Sequence, residues 1–89
     1  MKFNNFVQNV IDDAHTVITA GVYDEECDCI SKTTREAVND ARYINDCSGD
    51  SVLIKSKNGI PLYFVSNDGT LWGVNENGLS RKSYKGWLG

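Results

Sequence analysis

The sequence predicts one α+β domain over residues 1–89, with two N-terminal helices packed on a three- or four-stranded antiparallel β-meander. Three observations carry this. Apolar residues recur every three or four positions from Phe3 to Ile18, and a capping pattern at Thr33 opens a second helical stretch. After Gly49 the code changes to short β-branched and aromatic runs separated by Asn-Gly and Asp-Gly pairs. Residues 1–49 should therefore form a helical half and residues 50–89 a meander half.

The first helix is expected over about residues 4–19, because Phe3, Phe6, Val7, Val10, Ile11, Ala14, Val17 and Ile18 fall on one helical stripe. Asn4 or Asn5 can cap its start, and Gly21 can close its end in the left-handed conformation. Thr33 and Glu36 read as a capping box for a second helix over 34–47, in which Ala37, Val38, Ala41, Ile44 and Cys47 supply a narrower apolar stripe. The linking segment GVYDEECDCISKT has too few apolar positions to decide between a loop and another helical turn.

The runs SVLIKS, IPLYFVS, GTLWGV and LSRKSY read as strands joined at Asn58-Gly59, Asp68-Gly69 and Asn77-Gly78, dipeptides that favour the positive φ angles of tight hairpins. With two-residue turns at the first two sites, Val52, Ile54, Tyr63, Val65, Trp72 and Val74 share the face that packs on the helices. The other face then shows Leu53, Ile60, Leu62, Phe64 and Leu71, with Gly73 opposite Phe64, more apolar than a wet sheet surface usually is. A three-residue turn at either site would swap part of these sets. The C-terminal tail with Tyr84, Trp87 and Leu88, a second copy of the chain or another protein is expected to cover that second face.

A length of 89 residues with 40% apolar and 24% charged side chains suits one hydrophobic core and argues against disorder. The opening residues lack the apolar run of a signal peptide, and no segment approaches the roughly 18 apolar residues that span a bilayer. A cytoplasmic protein without a membrane partner is the expectation. Cys27, Cys29 and Cys47 are an odd number, which argues against a disulfide framework and for reduced thiols partly buried beside the second helix. A structural zinc site wants four ligands, and His15, the single histidine, is not a convincing fourth. No metal and no cofactor are expected.

Catalysis is not expected either. A cysteine nucleophile needs a base, and nothing fixes His15 near a sulfur. Phosphate loops, H-E-x-x-H, G-x-S-x-G and kinase signatures are all missing from the sequence. The segment DGTLWGVNENGLSR, Asp68 to Arg81, resembles one strand-turn-strand piece of a β-propeller repeat; a propeller needs several blades and nothing else in the chain repeats it, so no function is carried over.

The net charge of −3 divides unevenly: residues 1–50 hold ten acids and four bases, a sum of −6, whereas residues 51–89 hold five bases and two acids, a sum of +3. This pattern points to a small non-enzymatic protein-binding module of the inhibitor or regulator kind made by phages and mobile elements. Asp24, Glu25, Glu26 and Asp28 would steer a basic or nucleic-acid-binding host protein, and Leu62, Phe64, Trp72 and Trp87 would be anchors. A homo-oligomer is compatible with it. The alternative is single-stranded nucleic-acid binding by the sheet, with Lys55, Lys57, Arg81, Lys82 and Lys85 on phosphates and Tyr84 stacking on bases, against which the negative net charge argues.

Overall fold

The computed structural model of the chain describes residues 2–84. Along the chain come α1 (Asn5–Asp12), β1 (Thr16–Ala20), β2 (Tyr23–Asp24), β3 (Cys29–Ile30), α2 (Thr34–Ser48), β4 (Val52–Ser56), β5 (Pro61–Val65), β6 (Leu71–Asn75) and β7 (Gly78–Lys82). Strands β4 to β7 form the expected up-and-down meander, but β1 adds to it in parallel beside β4. The main sheet is therefore mixed and five-stranded, in the order β1-β4-β5-β6-β7, with β2 and β3 as a separate hairpin. The expectation of two helices on a purely antiparallel meander is corrected accordingly: the fold is α+β around a mixed sheet.

The extra strand was hidden inside the expected first helix. α1 ends at Asp12, not near residue 19, and Ala14 N–H turns back to the Ile11 carbonyl at 3.3 Å. Thr16, Val17, Ile18 and Thr19 are four β-branched residues in a row, stiff at χ1 and better suited to a pleated surface than to a helix. Their apolar members merely coincide with the helical spacing. Asn4 is the N-cap, accepting from Val7 N–H at 2.8 Å, while its own amide donates to the Asn77 carbonyl at 2.7 Å and its backbone N–H to Glu76 at 2.9 Å. The start of α1 is thereby tied to the β6–β7 turn. Gly21 does not cap a helix; it turns the chain after β1 with φ +76°.

α2 forms as its sequence suggests. Thr33 and Glu36 make the reciprocal capping box, and Gly49 closes the helix in the left-handed conformation with its N–H on the Asn45 carbonyl at 2.7 Å. As the crossover between parallel β1 and β4, α2 lays Ala37, Val38 and Ala41 on Ala20, Val52, Ile54, Val65 and Leu71 to make the main core. Cys47 departs from the expected stripe and is exposed.

Both hairpins that were expected to turn in two residues turn in three. In the first, Ser56 N–H bonds Ile60 and Gly59 N–H bonds Ser56, but a bulge between Ile54 and Lys55 absorbs the added residue, so Val52↔Val65 and Ile54↔Tyr63 pair as expected. In the second nothing absorbs it. Ser66 N–H bonds Thr70, Gly69 takes φ +88°, and the Asp68 carboxylate ties the loop by accepting from Thr70 N–H at 3.0 Å and from the Ser66 hydroxyl. β6 slips by one residue, giving Val65↔Leu71 and Phe64↔Trp72. Leu71 and Gly73 consequently move to the core face, and Trp72 and Val74 move to the other.

That second face is covered by α1. Val7 is 0% exposed yet stands apart from the core beneath α2, Leu53 is also buried outside that core, Val10 lines a cleft with Phe64, and Phe3 lines another with Leu62 and Val74. The two helices thus sit on opposite faces of the sheet. Leu62 and Phe64, expected on an open apolar face, and Trp72, expected on the face that packs on the helices, are all half-buried, and Ile60 is exposed at the turn.

Candidate functional site

Residues 21–32, left undecided between loop and helix, form a small projecting hairpin. Its base is closed by Gly21 N–H on the Lys32 carbonyl at 2.8 Å and by Ser31, whose N–H and hydroxyl both donate to the Val22 carbonyl at 2.8 and 2.9 Å. Tyr23 pairs with Ile30 and Asp24 with Cys29. At the tip, the Asp24 carboxylate accepts from Glu26 N–H at 3.0 Å, an Asx turn that starts the reversal. Asp28 completes it with φ 54°, a left-handed conformation that Asp tolerates better than most residues. The Tyr23 hydroxyl donates to the Asp28 carboxylate across the loop.

Cys27 and Cys29 are joined by a disulfide with their Cα atoms 5.5 Å apart, within ordinary disulfide reach. This corrects the expectation of reduced thiols packed beside the second helix: two of the sulfurs lie at the exposed tip and bond each other, and Cys47 alone is free. Odd cysteine count was a poor guide because it does not say whether neighbours one residue apart can meet; the left-handed Asp28 between them lets them. Among the described residues, no three metal-ligating side chains gather as a metal site.

The hairpin combines two surface properties. Val22, Tyr23 and Ile30 are 39%, 49% and 48% exposed, and all lie close to its base. Glu25, Glu26 and Asp28 are exposed and Asp24 half-buried around its tip. The acidic set named from sequence is thus brought together on one element. Its expected anchors are not: Leu62, Phe64 and Trp72 are half-buried on the sheet face away from α2, and Trp87 lies outside the described residues. Val22, Tyr23 and Ile30 were missed. Their signal was three apolar residues flanking a polar, acidic loop with no helical or strand period long enough to call them core.

The basic residues are dispersed. Lys57 lies in the β4–β5 turn, whereas Arg81 and Lys82 lie on β7 at the opposite edge of the sheet, and Lys55 is half-buried on β4. The Lys82 stem runs over Gly73, where an added Cβ would come within 2.7 Å of its Cε. Tyr84 donates its hydroxyl to the Gly69 carbonyl at 2.9 Å and carries the Arg42 guanidinium 4.5 Å from its ring centre, an engaged ring whose phenol burial pushes up in pKa. Lys85 lies outside the described residues.

A second concavity, a cleft of about 580 Å³, opens where β1 and β4 begin and β5 ends, and Asp13, His15, Asp50, Phe64 and Asp68 line it. His15 Nε2 is 3.6 Å from the Asp50 carboxylate, and the backbone N–H of His15 donates to Ser51 Oγ at 3.1 Å. Asp68 is held down to a pKa of about 2, first by the Ser66 hydroxyl and then by Thr70. Such a carboxylate is ionised near neutrality and accepts the hydrogen bonds that hold the turn.

The depressed pKa also has a stability consequence. Because Asp68 ionises below its ordinary 3.8 in the folded chain, its contribution is complete above that value and is lost as pH falls through it towards 2. Thermal melts from pH 5 down to about pH 2 should therefore fall more steeply for the wild type than for Asp68→Asn, which has no such charge to lose. Parallel curves would contradict the assignment.

Against known proteins, the chain matches no family model, no curated protein and no solved structure.

Proposed function

We propose that this chain is a non-enzymatic protein-binding module that presents its β2–β3 hairpin to a basic partner protein. The observation that carries the reading is the juxtaposition, on one projecting element, of the exposed Val22, Tyr23 and Ile30 with the carboxylates of Asp24, Glu25, Glu26 and Asp28. Carboxylates at the tip draw in an oppositely charged surface over a Debye length, and the apolar trio then supplies area that water leaves on contact. The disulfide, the Asx turn and the closed base hold the loop in one shape, which lowers the ordering cost of binding. Tyr23 is the expected energetic centre, since an aromatic with a polar tip contributes more per residue than the aliphatics around it.

Two variants separate the electrostatic and apolar contributions: Tyr23→Ala, and the fourfold amide variant of Asp24, Glu25, Glu26 and Asp28. Capture from a nuclease-treated lysate should retain one protein on the wild type, and cross-links should map to residues 21–32. Against that protein, once purified, Tyr23→Ala should weaken affinity by roughly tenfold or more. The amide variant should slow association by a similar factor at low salt, with the difference shrinking as salt is added. Equal binding by both folded variants, or cross-links confined to other elements, would defeat the reading.

A further inference from the structure

The two edges of the five-stranded sheet differ in how they meet solvent. β7 ends in Arg81 and Lys82, charged residues of the kind that discourage strand pairing. β1 reads Thr-Val-Ile-Thr-Ala, with no charge, no proline and no bulge. No carboxylate occurs between Asp13 and Asp24, so this stretch is a neutral segment in a chain of net charge −3.

Its backbone bonding is half used. Thr16 N–H donates to the Ser51 carbonyl at 3.1 Å, and β1 then runs parallel to β4 in register, Thr16↔Val52 through Ala20↔Ser56. Because N–H and C=O directions alternate along a strand, Thr16, Ile18 and Ala20 face β4 while Val17 and Thr19 point both groups outward. Among the described residues nothing bonds those two donors and two acceptors, and the Val17 side chain is 50% exposed.

We propose that this edge is an interface for a second copy of the chain, with β1 pairing antiparallel to its counterpart about a two-fold axis at Ile18. In that register Val17 of one copy faces Thr19 of the other, each such pair exchanging two N–H···O bonds, so all four outward groups of each edge are satisfied. A register shifted by one residue would aim the same groups at residues already bonded to β4. Because each copy offers its edge once and β7 is guarded by charge, assembly closes at a dimer with one continuous ten-stranded sheet. Another protein's extended segment would satisfy the same four groups without the symmetry, and the test separates the two. The proposal is independent of the hairpin reading, whose residues lie beyond the paired stretch.

Sedimentation velocity of the purified wild type from about 1 to about 500 μM should show a monomer–dimer equilibrium, as mass action requires. Amide hydrogen exchange at Val17 and Thr19 should slow at least tenfold across that range, while exposed amides elsewhere keep their rates. Val17→Lys, at an exposed position, should weaken dimerisation by tenfold or more, since it sets a charge against the neutral edge of the other copy. Thr19→Pro removes an N–H that β4 does not use and should do the same, with circular dichroism confirming that both variants fold. A wild type that stays monomeric at the highest concentration overturns the proposal. So does a dimer that survives Val17→Lys, or one in which the Val17 and Thr19 amides exchange as fast as in the monomer.

Discussion

Replacing Asn45 with aspartate is expected to remove at least about 3 kcal/mol of stability, enough to lower the melting temperature of a domain this size by roughly 10 °C or more. Asn45 is 7% exposed, and its Nδ2 donates to the carbonyls of Asp50 at 2.9 Å, Ser66 at 2.9 Å and Asn67 at 3.2 Å. One amide therefore fastens the end of α2 both to the loop leading into β4 and to the β5–β6 turn that sets the register of β6. Aspartate has no donor when ionised and would aim a buried charge at three carbonyl oxygens. Alanine leaves the same oxygens unsatisfied without adding a charge, so Asn45→Ala should cost less, about 1–3 kcal/mol.

Acid supplies a second check on the Asn45→Asp variant. Desolvation raises the folded-state pKa of the new carboxyl, so its penalty is greatest at neutral pH and shrinks as pH falls and the group becomes a donor. The gap between wild-type and variant melting temperatures should narrow below about pH 5. A variant that melts within about 2 °C of wild type at pH 7 would mean that Asn45 is not the clamp described, because an unpaired buried charge cannot be that cheap.

Val7→Asp should detach α1 from the sheet. Val7 is wholly buried, and placing an unpaired carboxylate there costs several kcal/mol. α1 has only 8 residues, too short to persist as a helix once undocked, whereas the core beneath α2 involves none of its side chains. The expected variant keeps its α2-side sheet but exposes Leu53, Phe64 and Trp72. It should bind a hydrophobic dye, shift Trp emission towards the red and become open to proteolysis over residues 5–14. A cooperative melt unchanged from wild type, with no dye binding, would show that α1 is not what covers the second face.

α2 was legible because its start, stripe and stop are local chemistry: Thr33 and Glu36 bond each other's backbone, and Gly49 supplies the one positive φ the helix end requires. The meander strands were legible for the same kind of reason, since Gly59 and Gly69 take the positive φ that their turns need; the third reversal departs from the expected Asn77-Gly78 turn, because Asn75 pairs with Gly78 and the chain turns at Glu76 and Asn77 without a positive φ. β1 was not, because Val17 and Ile18 satisfy a helical period and a strand alternation equally over so short a run, and only pairing with Val52 to Ser56 decides between them. The acidic part of the candidate site could be read directly. Its apolar part could not, since exposure of Tyr23 and Ile30 depends on the hairpin standing clear of the core.

What the amino-acid order determined alone, then, was the caps of α2, the presence of reversals between the meander strands, the charge division and the acidic cluster at residues 24–28. Tertiary structure decided the parallel β1–β4 pair, the placing of α1 and α2 on opposite faces, and the one-residue slip that puts Leu71 in the core and Trp72 outside it. The physical reason is range. A cap or a turn is stabilised by atoms that are neighbours in sequence, whereas a strand's partner and a sheet's facing are fixed by apolar surface and backbone groups many residues away, here by the pairing of β1 with β4 and by the buried Asn45 amide on the β5–β6 turn.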